Sequence, residues 1–454
     1  MAGQHNAPIR MTHPAKFLLS AAIVPLLLSA SPPARAEVRL PHVFGSHMVL
    51  QQGMPVPVWG WADPGEKVTV RLDDRTASAE PDAQGAWRVI LEPLKADGRA
   101  HSLTVSGKNT VTLEDVLIGE VWIGSGQSNM DYGLGKEAGA RAAQPEIRLL
   151  SVPPESSKKP VPDVKAEWQS SASGGLSNFS AVLYYFGQNL HGELKVPVGL
   201  IKAARGSTAI ERFLPPPKPG DLYNGTIAPL QPFAMRGVIW YQGEANRADG
   251  LAYAPKQRAL IEGWRKAWGR EFPFYLVQIA PFTGYTDKYD IPSLWEAQLT
   301  GLKMPHVGVA VINDTAGQMA NIHPGNKDKV GQRLAAWALA GDYGRTGLEY
   351  CSPMYKAMQV EGGKVRLFFS HARGLKTSDG KPPTEFTIAG ADGKYVPARA
   401  TIDGETVVVE AAEVAAPVKV RYAWRNTPAV TLVNGAGLPS SAFHSDDWQG
   451  GTAE

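Results

Sequence analysis

Between residues 116 and 345 the chain alternates short apolar runs with amphipathic stretches, and this alternation restricts the fold more than any other feature. The runs are "EVWIG", "EIRLLSV", "VPVGLIKAA", "RGVIWYQ", "FPFYLVQIA" and "HVGVAVIN". Several are apolar throughout, as strands are when helices cover both faces of a parallel sheet. Between them, "NFSAVLYYFGQNLHGEL" sets Phe179, Val182, Phe186 and Leu190 at helical spacing. "YAPKQRALIEGWRKAWG" does the same with Tyr253, Gln257, Leu260, Trp264 and Trp268. "NKDKVGQRLAAWALAG" repeats it with Val330, Leu334 and Trp337, and Gly341 offers a stop. Strand and helix in turn predict a three-layer α/β domain.

The flanks read differently. Residues 37–115 carry short alternating strands such as "VPVWGWADPGEKVTVRLDD", punctuated by Gly, Asp and Asn. Residues 346–454 return to the same pattern in "KVRLFFSHA", "EFTIAG", "TVVVEA" and "VKVRYAW". Neither flank gathers reactive side chains. The expected class is α/β: a parallel-sheet domain over 116–345, flanked by N- and C-terminal β-sandwich domains.

Residues 1–36 have the form of a signal peptide. Arg10 and Lys16 precede the apolar "FLLSAAIVPLLLSA", and "ARA" at 34–36 is a small-x-small cleavage site. The expectation is export, to the periplasm or the medium. Cleavage removes Arg10, Lys16 and Arg35 and leaves 43 basic against 43 acidic side chains, so the basic balance of +3 belongs to the leader. No positive footprint for nucleic acid or an anionic membrane remains, and no later stretch is long enough to span a bilayer. Cys351 is the single cysteine, which rules out an internal disulfide. Of the twelve tryptophans, most are expected in packing and a few along a sugar-binding cleft.

In an open parallel sheet ligands bind where loops leave the carboxyl ends of the strands. Four such loops carry polar residues: "GSGQSNM", "RGSTAIE", "QGEANR" and "NDTAGQMANIHPGNK". Taken alone, Ser128 in the first is an ordinary turn serine, and its surroundings do not match G-x-S-x-G. His323 in the last changes the weighing. A hydroxyl becomes a nucleophile when a base removes its proton, and imidazole has the basicity for that near neutral pH. Three groups compete to orient the imidazole: Asp314, a backbone carbonyl such as that of Asn321, or another acid. Oxyanion donors are sought in the backbone N–H groups of Ser128 and Gly206 and in the side-chain amide of Gln242. Asn129, Glu244, Trp240 and Asn321 are candidates for substrate contact or loop support. No zinc-binding or nucleotide-binding motif occurs, so neither metal nor cofactor is expected. A paired-carboxylate glycosidase built from Glu244, Glu296 and Asp314 would leave Ser128 and His323 without a task.

"IGEVWIGSGQSNMDY", "FSAVLYYFGQNL", "PVGLIKAARGSTAIERF", "YNGTIAPLQPFAMRGVIWYQGEANR" and "NIHPGNKDKVGQRLA" together resemble the sialate O-acetylesterase family of carbohydrate esterases, within the SGNH hydrolases. The likeness extends to "LPHVFGSHMVLQQGMPVPVWGWADPGEKVTV" and "VRYAWRNTPAVTLVNGAGLPSSAFHSDDW" in the flanks. It implies Ser128 as nucleophile, His323 as base, Gln242 and Gly206 at the oxyanion, and removal of O-acetyl groups from mono- or oligosaccharides without metal or cofactor. Three positions depart from the family pattern. Asn321 stands where many relatives have an acid; Gly206-Ser207-Thr208 and Phe213 replace a Gly-Gly-Thr segment and a tryptophan; and only Leu214–Asp221 separates "ERF" from "LYNG", where relatives carry a longer insertion. The short segment implies an open cleft. Two alternatives accompany the reading: an acetylesterase of plant cell-wall xylan or xyloglucan, and a non-catalytic carbohydrate-binding protein.

Overall fold

One strand, β1 (Thr110–Gly126), ties the flanking sandwich to the central sheet. The computed structural model describes residues 37–137, 143–286, 288–315 and 319–447. The expected signal peptide, and Trp448 in the closing motif, lie outside them. In β1, residues 110–115 alternate between exposed and half-buried, and from Val116 every residue is buried. The change of pattern is a change of surroundings. The first part pairs antiparallel with His101–Ser106, leaving one face to solvent. The second part runs parallel between two other strands, with helices over both faces. The boundary expected at 115/116 therefore falls inside one continuous strand.

The central sheet continues through β2 (Ile147–Ser151), β3 (Trp168–Ser170), β4 (Val198–Ala204), β5 (Gly237–Tyr241), β6 (Phe274–Val277) and β7 (Val307–Ala310). Their spatial order is β7-β6-β5-β1-β4-β2-β3. Every neighbouring pair is parallel except β2–β3 at the edge.

Helices α1 (Ala181–Leu194), α2 (Tyr253–Trp268), α3 (Ile291–Leu299) and α4 (Lys327–Gly341) complete the layers. Side chains alternate along a strand, so the tryptophans report which helix lies where. Trp122 meets Phe186 of α1 edge-on and stacks near Tyr275, which faces Trp337 of α4. Trp240 packs against Trp264 of α2. Trp240 is in register with Ser125, an odd number of residues from Trp122, so α1 and α4 cover one face and α2 the other. Ser180 caps α1 by accepting from Leu183 N–H, and Gly269 ends α2 in the left-handed region.

Among the described residues the C-terminal β region forms two four-stranded antiparallel sheets and one two-stranded sheet, in which Lys376–Thr377 pairs with Leu432–Val433. Tyr355 of one four-stranded sheet and Phe443 of the other stack at 4.5 Å, closing them into a sandwich. The sandwich also braces loops of the core. Asn313 Nδ2 donates to Ser440 O at 2.9 Å, and Asn426 Nδ2 reaches the carbonyls of Tyr285, Thr286 and Tyr289. The described residues from Glu37 onward form a single compact unit.

Glu120 sits at the amino end of the parallel part of β1 and is 1% exposed. Its carboxylate accepts from Arg236 Nε (2.8 Å) and Nη2 (3.0 Å), from Gln51 and Gln52, and from Tyr343 Oη. A buried pair broken on one side leaves the other charge uncompensated. Glu120→Ala is expected to lower the unfolding free energy in a urea titration by about 3–5 kcal/mol. A loss below about 1 kcal/mol, the size of an exposed pair, would refute this anchoring role.

Candidate active site

The carboxyl end of β1 delivers Ser128. Gly126 has φ +134, and a Cβ there would lie 2.2 Å from Tyr241 O on β5, so only glycine fits. Gln127 N–H donates to that same carbonyl at 3.0 Å, and one helical turn, Ser128–Asp131, begins at once. Ser128 is left half-buried at the sheet edge, with the loop after β4 beside it. A Cβ on Gly206 would lie 3.6 Å from Ser128 Cβ, so the bare backbone of that loop runs alongside the serine. Among the described residues neither the Ser128 N–H nor the Gly206 N–H donates to a protein acceptor. Two free donors beside a nucleophile suit an oxyanion.

His323 reaches the same point from the loop before α4. Its Nε2 lies 2.8 Å from Ser128 Oγ, across 195 residues of sequence. Asn321 Oδ1 accepts from the backbone N–H of His323 at 2.9 Å, which fixes the loop rather than the ring. Burial, then the charges of Lys327 and Lys136, holds the imidazole below its ordinary pKa. A neutral imidazole facing a serine hydroxyl is the arrangement a general base requires.

Three expected roles are corrected by the geometry. Asp314 does not orient the imidazole, because both its oxygens bind Arg333 of α4 at 2.7 Å. That pair pins the loop after β7 to the helix. Gln242 does not offer its amide to an oxyanion, because Nε2 already faces Gln127 Oε1 (3.1 Å), Thr208 O (3.1 Å) and Asn246 Oδ1 (2.7 Å). Its Oε1 accepts from Tyr253 Oη at 2.7 Å, so Gln242 ties three loops together from below the site. Trp240 lies in the core between Phe213 and Trp264, away from any cleft.

Asn129 and Glu244 meet behind the serine, where Asn129 Nδ2 donates to Glu244 Oε1 at 2.5 Å. Burial raises the Glu244 carboxyl, and its Oε2 has no partner among the described residues. Two further residues matter that sequence reasoning passed over. Gln127 Oε1 accepts from Gln242 Nε2 and from Ala245 N–H, both at 3.1 Å. Lys327, fully buried, donates to Asn129 Oδ1 at 2.6 Å. A lysine on the inward side of a helix start, four residues past the histidine, was the available signal. Among the described residues, no group of three or more His, Cys, Asp or Glu is arranged to hold a metal ion. No helix among them is long and apolar enough to cross a membrane.

A family model described as "Carbohydrate esterase, sialic acid-specific acetylesterase" matches residues 118–340. The sialate O-acetylesterase of Homo sapiens is 28% identical over 478 residues, covering 89% of this chain and 91% of its own length. That of Mus musculus is 27% identical over 479 residues, covering 84% and 88%. The crystal structure of a carbohydrate acetylesterase from Xanthomonas citri aligns with a TM-score of 0.86 at 37% identity, over 90% of this chain and 100% of that one. These likenesses overturn the alternative of a non-catalytic carbohydrate-binding protein. The chain belongs to the sialate O-acetylesterase family and is a carbohydrate O-acetylesterase with an SGNH-hydrolase-like core and flanking β regions.

Proposed function

We propose that the protein removes O-acetyl groups from sugars with Ser128 as nucleophile, through an acetyl-enzyme. The observation that carries this reading is the 2.8 Å contact between Ser128 Oγ and His323 Nε2 at the carboxyl edge of the sheet. Oγ bonds to the acetyl carbonyl carbon while its proton passes to Nε2. The carbonyl electron pair moves to oxygen, and the Ser128 and Gly206 N–H groups hold the resulting charge. Collapse breaks the bond to the sugar oxygen, which takes the proton from Nε2 and leaves as a hydroxyl. Water then yields a proton to Nε2 and bonds to the acetyl carbon; collapse breaks the bond to Oγ, which takes the proton back from Nε2, and acetate leaves. Each oxyanion donor is expected to lower the barrier by on the order of 3 kcal/mol.

The substrate we propose is an acetylated oligosaccharide or polysaccharide, whether of sialic acid, xylan or xyloglucan type. Support comes from the segment Leu214–Asp221, which folds back on itself. Gly220 N–H donates to Leu214 O at 2.8 Å and Arg212 Nε to Asp221 Oδ1 at 2.8 Å. So short a segment reaches less far over the edge of the sheet than an insertion would. Export, as residues 1–36 suggest, would place the enzyme among such polymers.

Acetate release from acetylated sialic acid, xylan and xyloglucan tests the reading. Ser128→Ala is expected to abolish release on every carrier that the parent attacks, with the circular dichroism spectrum unchanged. Parent-like turnover in that variant would end the serine mechanism. The pH profile gives a second test, because the imidazole accepts a proton only when neutral. Its pKa is held below the ordinary 6.5, so the neutral form persists further into acid. The acid limb of kcat/KM is therefore expected to have its midpoint below 6.5. A midpoint above that value would contradict the assignment of His323.

A further inference from the structure

His323 is held without the carboxylate that usually orients a catalytic imidazole. Among the described residues, none accepts a hydrogen bond from its Nδ1. What holds the loop instead is an amide on either side of the ring's backbone. Asn321 Oδ1 accepts the His323 N–H, and Asn129 Nδ2 donates to Ile322 O at 3.0 Å. Asn129 itself is fully buried, and each end of its amide is engaged by a charged group: Lys327 Nζ at 2.6 Å on Oδ1, Glu244 Oε1 at 2.5 Å on Nδ2. No Lys327–Glu244 contact falls within ion-pair distance, so the amide is the bridge between the two charges.

We propose that Asn129, clamped between the Lys327 ammonium and the Glu244 carboxylate, is the positioning residue for His323, in place of an orienting acid. The proposal rests on the serine-esterase reading above. Its logic is geometric. The nucleophile's own neighbour grips the carbonyl next to the base, so one buried amide sets the distance between Oγ and Nε2. Lys327 begins α4, and its N–H donates to Glu137 Oε2 at 3.1 Å, so the clamp also fixes the helix that follows the histidine. The Lys327 ammonium lies 5.2 Å from the ring centres of both Tyr132 and Tyr241.

The clamp has an electrostatic consequence opposite to that of a triad acid. A carboxylate on Nδ1 stabilises imidazolium, whereas a nearby cation disfavours it. The charged and titratable groups facing His323 are Lys327, Lys136 and Tyr132, and those facing Lys327 are Glu244, Glu137, Tyr132 and Tyr241. Burial pushes Lys327 down to about 8, against the pull of Glu244 and Glu137, so it remains a cation at neutral pH. Burial first, and then the charges of Lys327 and Lys136, favour the neutral imidazole.

Three variants test this: Asn129→Ala, Lys327→Met, and Lys327→Met combined with Glu244→Gln, which leaves the buried cluster neutral and protects folding. Asn129→Ala is expected to lower kcat by about 100-fold, the scale of a reacting group displaced by about 1 Å, with KM close to the parent value. Lys327→Met, alone or in the double variant, is expected to move the acid limb of kcat/KM upward. The same upward movement is expected for His323 itself in an NMR titration of the imidazole, run in a Ser128→Ala background where activity plays no part. Unchanged kcat in Asn129→Ala, or an unchanged His323 titration in both lysine variants, would overturn the proposal. Failure of the serine mechanism would appear separately, as turnover in Ser128→Ala alone.

Discussion

The unbroken course of β1 is the constraint on which the rest depends. Its second part is buried on both faces, so it cannot slide or tilt without opening the layers of helices above and below. The carboxylate of Glu120 fastens one end to Arg236, Gln51, Gln52 and Tyr343. At the other end the chain must turn past Tyr241 O within a space that admits no side chain, and the next residue but one is the serine. Rigidity in the strand becomes placement of the hydroxyl.

The edge of the sheet is then organised by amides more than by charges. Gln127, Gln242 and Asn246 link the ends of β1 and β5 to the loop carrying Thr208, while Asn129 links the serine turn to the histidine loop. Such groups are costly to bury unless paired, and once paired they hold dipoles in fixed directions. A reacting site that must stabilise a brief oxyanion benefits from dipoles that need no reorganisation. The two side-chain carboxylates most suggestive in this region, Asp314 and Glu244, are taken up by Arg333 and Asn129. Neither touches the imidazole.

The sequence made the layers legible because burial on both faces leaves a mark: uninterrupted apolar runs, and helices striped at 3.6. Shorter elements escaped. Helix α3 spans nine residues, and its true signals were Asp290 as cap and Pro292 in the first turn. The pairing of Ser128 with His323 followed from their positions after the first and last strands of one domain. What sequence could not supply was competition for partners. Gln242 reads as a free amide until Gln127, Thr208 and Asn246 surround it, and Asp314 reads as a free acid until Arg333, nineteen residues later, turns toward it. Trp240 misled for a related reason, since a tryptophan in a strand looks the same whether it faces a sugar or a helix.

Intact-protein mass spectrometry after rapid acid quench, with peptide mapping, tests the central claim most directly. Mixed with an excess of a chromogenic acetate ester, the enzyme is expected to carry one acetyl group, on the peptide containing Ser128, that disappears as the ester is exhausted. An acetyl group that builds up and decays at the rate of turnover on any other residue would contradict the account.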